Sequence, residues 1–371
     1  MTDYIRSQII TYLGNKRKLL GPIEQVIDAV KTILQQDTFT SADAFSGSGI
    51  VSRLLKKTST TLYTNDVAGY SETLNRCYLS TPNVVEIAQI KKYIEAANLF
   101  VDEGRVEVPS WIRTHWAPRG EIRKKHRVYF TEENALRIDR YRHFINLIPK
   151  RYRPYLLAPL LVECSIHNNT NGQFSGFYKK DGIGCFGGKT GTDVKRITQP
   201  IRLSCPLFSS HPCRVIIDRK DANEWVRSVP SVDFMYLDPP YNKHPYSIYY
   251  FLLDIINQWD TSIAIPDTYR GQPKTWKRSP YNSYTLAKNA MEDLISNIKA
   301  SFILLSYNNG GIIPLAELDE MLKRYGSVTK IPVQHRTYNK LKGIANYKRT
   351  GEWKDVKEFL WLIDTRDVVH D

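Results

Sequence analysis

The sequence lacks any apolar run near the roughly eighteen residues a helix needs to cross a bilayer. Its opening, MTDYIRSQII, lacks the pattern of a secretory leader. Its five cysteines (Cys77, Cys164, Cys185, Cys205 and Cys213) form no C-x-x-C pair. A zinc site is therefore not expected, nor a disulfide framework, and a reduced cytoplasmic setting is. No set of side chains has convincing metal-ligand spacing, so no metal is expected. The stretch GGKT at 187–190 looks like a phosphate loop, but the pattern needs glycine five positions before Gly188, where Ile183 stands. No internal repeat is present, which excludes solenoids and propellers.

Acids are scarce relative to bases. The 371 residues carry 52 Lys and Arg against 38 Asp and Glu, a formal charge of +14. The bases recur along the chain, in NKRKLL (15–20), RGEIRKKHR (119–127), KRYR (150–153), KTWKR (274–278) and HRTYNKLKGIANYKR (335–349). Tyrosine is interleaved at 23 positions. A solvated basic surface is the ordinary reading of such runs. An excess this large points to a polyanionic partner, with nucleic acid foremost.

Hydrophobic residues make up 42% of the chain, enough for a substantial core. PIEQVIDAVKTILQQ (22–36) places Ile23, Val26, Ile27, Val30 and Ile33 on one helical face. SADAFSGSGIVSRLLKK then reads as strand, glycine turn and helix. TTLYTND reads as a strand ending at Asp66, and SETLNRCYL as another helix. This alternation begins a parallel, doubly wound sheet. Residues 80–213 break the pattern with helical pieces at 84–98, 131–147 and 154–167 and a polar, Gly-rich stretch, HNNTNGQFSGFYKKDGIGCFGGKTGTD. It resumes with strands at RVII, DFMYLD and FILLSY, a helix over 247–258, and late strands at VTKIPV and EFLWLI. The expected architecture is α/β: a Rossmann-like sheet with helices on both faces, formed by 1–80 and 214–371, interrupted by a mainly helical insertion over 81–213. At about 130 residues, the insertion is long enough to be a domain.

DFMYLDPPY (233–241) ends an apolar strand on an acid, two prolines and a ring. Proline lacks an N–H and fixes φ, so the ladder stops and the turn is stiff. A turn is the bland reading. In open α/β sheets, however, ligands sit beyond the carboxyl ends of strands. DAFSGSGIVS (43–52) supplies glycines for a tight turn between strand and helix, with Ser52 where a dinucleotide pattern has glycine. A ligand without pyrophosphate is favoured. Asp66 suits ribose hydroxyls or a helix cap, and Asp221 suits a helix cap before ANEWV.

These motifs together resemble the N6-adenine DNA methyltransferases of the Dam-like, D12 class, almost end to end. YLGNKRKLL (12–20), DAFSGSG, NDVAGY (65–70), KDANEW (220–225) and DPPY carry the resemblance. Their order, with a long insertion before DPPY, matches the α group, whose insertion is the target-recognition domain. The stretch NNTNGQFSGFYKK is similar to sequences in restriction-modification members.

The resemblance implies S-adenosylmethionine as cofactor and a flipped-out adenine in double-stranded DNA as substrate. It implies catalytic roles for Asp238, Pro239, Pro240 and Tyr241. It assigns Tyr12, Asn15, Lys16, Asp43, Phe45, Gly47, Gly49, Asp66, Asp221 and Asp238 to the cofactor side. A phosphate contact is an equal alternative for Lys16. Arg119, Arg123, Lys124, Asn171, Gln173, Lys179 and Lys180 are the candidates for DNA contact. The partners expected are the DNA, with nucleoid association, and a cognate restriction endonuclease. The alternatives are N4-cytosine methylation, an RNA or protein amino-group substrate, and a catalytically silent DNA-binding protein. Asp238 argues against the first, Asp238 and the basic charge against a protein substrate, and the intact motifs against the last.

Overall fold

The computed structural model describes residues 3–188, 191–243, 245–274, 278–333 and 358–367. The basic stretch 335–349 lies outside the described residues, as does the middle of 274–278.

Seven strands form one sheet: β1 (Phe39–Asp43), β2 (Ser59–Asn65), β3 (Arg214–Asp218), β4 (Val232–Leu237), β5 (Ala300–Asn308), β6 (Ser327–Val333) and β7 (Glu358–Asp364). Their order is β3-β2-β1-β4-β5-β7-β6. The pairs from β3 to β5 are all parallel. The last strand, β7, runs antiparallel to both its neighbours. This is the mixed, mostly parallel sheet that the Rossmann-like reading expected.

The period-two pattern of the central strands explains the two layers. Phe234 and Tyr236 of β4, with Phe302 and Leu304 of β5, face Ile23, Val26, Ile27 and Val30 of helix α1 (Leu20–Leu34) and Leu54 and Leu55 of α2 (Ile50–Lys56). Met235, Leu237, Ile303 and Leu305 face the other way. They meet Trp225, Met291, Leu294, Leu318 and Met321, from helices over 222–228, 287–296 and 315–322.

Residues 81–213 hold the helices α4 (Val84–Glu103), α5 (Trp111–Trp116), α6 (Glu132–Leu147) and α7 (Pro154–Ile166), and carry a short hairpin at 179–184. A capping box between Asn83 and Glu86 starts α4, and Gly104 in the left-handed conformation ends it. Their apolar residues form one cluster with Tyr70, Leu74, Cys77 and Tyr78 of α3 (Gly69–Tyr78) and with Tyr250, Leu252, Leu253 and Ile256.

One element departs from expectation. The continuous helix read over 247–258 is interrupted at Tyr250, between a turn at Tyr246–Tyr249 and α8 (Phe251–Gln258). Tyr250 leaves helical geometry (φ −125°, ψ 15°), stacks on Tyr12 at 4.8 Å, and its hydroxyl accepts the Leu13 N–H at 2.5 Å. Tertiary contact overrides local helical preference there.

Candidate active site

The site is built along the carboxyl edge of the parallel strands. After β1 the chain turns through Gly47 (φ 50°) and Gly49 (φ 75°), which glycine adopts without strain. The turn is braced from the next strand. Ser46 N–H donates to the Asn65 carbonyl at 3.0 Å and Gly47 N–H to Asp66 Oδ2 at 2.7 Å. The other Asp66 oxygen accepts the Ala68 N–H at 2.9 Å. Asp43 is fully buried, accepting from Ser52 Oγ at 2.6 Å and from the Phe45 N–H at 3.3 Å. Burial pushes its carboxyl up to about 7, against the pull of those two donors. Phe45 packs edge-on against Tyr281 at 5.5 Å. Asp221 caps the helix at 222–228, its Oδ1 accepting from Asn223 N–H at 2.9 Å.

The N-terminal segment crosses this edge. Asn15 caps the turn at Lys16–Lys18 by accepting the Arg17 N–H at 2.7 Å. Tyr12 stacks on Tyr246 and Tyr250. A β-carbon on Gly47 would lie 3.0 Å from its ring. Gly14 has φ 73°, and a β-carbon there would lie 3.0 Å from the Tyr241 hydroxyl. The N-terminal motif, the glycine turn and the Asp-Pro-Pro-Tyr turn thus meet.

Asp238 follows β4 on that proline turn. Lys16, 3% exposed, places Nζ 3.0 Å from Asp238 Oδ1 and 5.7 Å above the Tyr241 ring. Burial raises the Asp238 carboxyl to about 6, Lys16 opposing the rise and Glu358 adding to it. Burial disfavours the Lys16 ammonium, but the Asp238 and Glu358 carboxylates outweigh it and hold its pKa above the ordinary value. Tyr241 lies edge-on to Tyr307 at 6.0 Å, and its carbonyl accepts the Ile312 N–H at 2.9 Å. Pro239 is buried and Pro240 half-buried. Sequence reading did not single out Glu358, Gly14 or Tyr246. Gly14 lay within a motif already quoted. Glu358 opens β7, and nothing local told that this strand runs backwards.

The DNA-contact candidates fall in two places. Asn171 is exposed and Gln173 buried, its Oε1 without a partner. Between them Gly172 (φ 98°) approaches Thr11 so closely that a β-carbon would lie 2.5 Å from Thr11 Cγ2. Arg119, Arg123, Lys124, Lys179 and Lys180 are exposed. Arg119 donates to Thr114 Oγ1 at 2.7 Å. Lys179 Nζ sits 3.7 Å over the Tyr269 ring, and its pKa is lowered by burial and by neighbouring Lys124. Arg127 and Arg270 tie the insertion to the segment after α8, donating to Thr268 O at 2.9 Å and Ser175 O at 2.6 Å.

Comparison with known proteins gives this geometry a family. The chain is 31% identical over 360 residues to modification methylase LlaI of Lactococcus lactis subsp. lactis, covering 94% of this chain and 54% of that protein. It is 28% identical over 340 residues to type II methyltransferase M.NlaIII of Neisseria lactamica, covering 89% and 92%. It is 27% identical over 364 residues to type II methyltransferase M.FokI of Planomicrobium okeanokoites, covering 95% and 52%. The chain thus spans about half the length of the LlaI and FokI proteins and nearly all of M.NlaIII. The family model that matches residues 12–309, from the N-terminal tyrosine through the end of β5, shows that the chain belongs to the D12 class N6 adenine-specific DNA methyltransferases.

Proposed function

We propose that the protein methylates the exocyclic N6 amine of a specific adenine in duplex DNA, with S-adenosylmethionine as donor. The observation that carries this reading is a carboxylate on a proline-stiffened turn, beside a glycine turn, at one edge of the sheet. The adenine amine is a poor nucleophile because its lone pair is delocalised into the ring. Asp238 and the Pro239 carbonyl would accept its two N–H bonds and direct the lone pair out of the ring plane. The prolines hold both acceptors in place before the base arrives, which is preorganisation. At neutral pH a carboxyl near 6 is largely ionised, so Asp238 is an acceptor and can take up the departing proton. Tyr241 would stack on the base. Such stacking, about 1–3 kcal/mol per base, offsets part of the cost of extrusion from the duplex.

The residues present fit the cofactor. The 43–52 turn comes so close to Tyr12 at Gly47 that a β-carbon there would lie 3.0 Å from the ring. Asp66 stands alongside it, it carries no Lys or Arg of its own, and Arg53, which follows it, is buried and turned to the carbonyls of Tyr4, Ser7 and Gln8. That lining suits a sulfonium and ribose hydroxyls rather than a phosphate. Tyr12, Asn15, Lys16, Phe45, Gly47, Gly49, Asp66 and Asp221 are the residues proposed to surround it, with Asp43 bracing the turn from beneath. S-adenosylmethionine supplies an electrophilic methyl group on positively charged sulfur.

The inserted residues 81–213 are the proposed target-recognition part. Asn171 and Gln173 lie beside the N-terminal motif, and the basic residues from Arg119 to Lys124 and at Lys179 and Lys180 would meet phosphates. A cognate restriction endonuclease is the proposed partner, since LlaI is named a modification methylase. Its place of work is then the nucleoid.

Tritiated S-adenosylmethionine and mixed-sequence duplex DNA, followed by nucleoside analysis, test the reading. Label in N6-methyldeoxyadenosine is expected. Label in N4-methyldeoxycytidine would correct the base. Absence of label with the cofactor bound would remove DNA as substrate. Asp238→Ala should abolish transfer while leaving cofactor and DNA affinity within about threefold, the pattern of an interaction made only in the transition state.

A further inference from the structure

One buried ammonium in this site serves two carboxylates. Lys16 Nζ is 3.0 Å from Asp238 Oδ1 and 3.8 Å from Glu358 Oε2. All three atoms are buried, and none is aligned in a hydrogen bond. A buried ammonium is costly unless it is paired, and these two carboxylates are what pairs it. The conflict is specific. The proposed reaction needs an Asp238 oxygen to accept an N–H from the target amine, and Lys16 stands at that carboxylate.

The sheet topology supplies the resolution. Because β7 runs antiparallel, its first residue lies where β4 and β5 end, and Glu358 pairs in register with Asn308, the last residue of β5. Lys16 therefore has a second carboxylate within reach of a small side-chain rotation. Among the described residues, six titratable groups face Asp238 from the elements around it: Lys16, Glu358, Asp43, Tyr236, Tyr241 and Tyr246. Lys16 is the cation among them.

We propose that Glu358 is a positioning residue that takes the Lys16 ammonium when the target amine enters, leaving Asp238 free to accept the N6–H bond. The exchange keeps the ammonium paired throughout, which a buried charge requires. It makes no covalent change and consumes nothing. The inference rests on the adenine-methylation reading and names a residue that neither the motifs nor the family assignment marks.

The test compares full-length parent, Glu358→Gln and Glu358→Asp in single-turnover methylation across pH, with cofactor binding and thermal midpoint measured in parallel. Glu358→Gln keeps the size and removes the charge. Its plateau rate is expected to fall about tenfold or more, with cofactor affinity held within about twofold, as for a transition-state effect. Its acid limb is expected to move to lower pH, because a carboxylate that repels Asp238 has gone. Glu358→Asp should recover part of the rate. In a Lys16→Met background Glu358→Gln should no longer slow the reaction, since Glu358 acts through Lys16. An unchanged rate and acid limb in Glu358→Gln, or an equal slowing in the Lys16→Met background, overturns the proposal while leaving adenine methylation intact. A parent protein that methylates no adenine overturns both.

Discussion

Gly14 shows how much can rest on a missing side chain. Its φ of 73° costs other residues about 1–2 kcal/mol, and the Tyr241 hydroxyl fills the space a β-carbon would need. Gly14→Ala is expected to push Tyr241 aside and lower turnover at least tenfold, with DNA affinity nearly unchanged. Steady-state kinetics beside a binding isotherm checks this. Asp43 makes a different residue-scale prediction. Its carboxyl is held up to about 7 in the fold, against about 4 in an unfolded chain. The folded protein therefore binds the extra proton between those values. Asp43's contribution is fully present below about pH 4 and is lost as pH rises towards 7, at up to about 1.4 kcal/mol per unit. Asp43→Asn should flatten that part of the stability curve, as read by denaturant titration at several pH values.

At the scale of elements, the segment before Lys16 is held by a buried arginine. Arg53 of α2 donates to the carbonyls of Tyr4, Ser7 and Gln8 at 2.8–3.0 Å and lies 3.9 Å over the Tyr78 ring. A lysine cannot repeat that fork. Arg53→Lys should cost about 2–4 kcal/mol of unfolding free energy and weaken cofactor binding with it. By contrast Asn83→Ala, which removes the cap of α4, should cost about 1 kcal/mol and leave methyl transfer unchanged. The elements themselves were largely legible, because apolar alternation and glycine turns are local signals. Asp66 and Asp238 could be placed at strand ends for the same reason. The break at Tyr250 was not legible, since its cause is Tyr12 and Leu13, far away in sequence. Nor was Glu358, whose place depends on the direction of β7.

For the molecule as a whole, the charge of +14 is the quantity that matters. DNA affinity is expected to fall linearly on a log–log plot against salt, with a slope of about 0.9 per phosphate contacted. Lys124→Ala and Lys179→Ala should each reduce that slope by about one without changing which site is methylated, and a filter-binding titration resolves this. A slope unaltered by both would remove their surface from the DNA interface. The continuous apolar cluster joining the inserted helices to Tyr70, Leu74 and Tyr250 has a mechanical consequence at this scale. Cutting the insertion out exposes core, so its deletion should yield an insoluble product rather than a non-specific methylase.

The ion cluster at Lys16 also sets an order of manufacture. The ammonium comes from a segment ahead of the first strand, Asp238 from the end of β4, and Glu358 from the last strand of the sheet. During synthesis the lysine emerges long before either acid, and it cannot be buried until they arrive. A chain cut before β7 would still carry the glycine turn and the Asp-Pro-Pro-Tyr turn but would leave Lys16 without Glu358, and it is expected to transfer methyl groups far more slowly than the full chain in a single-turnover assay.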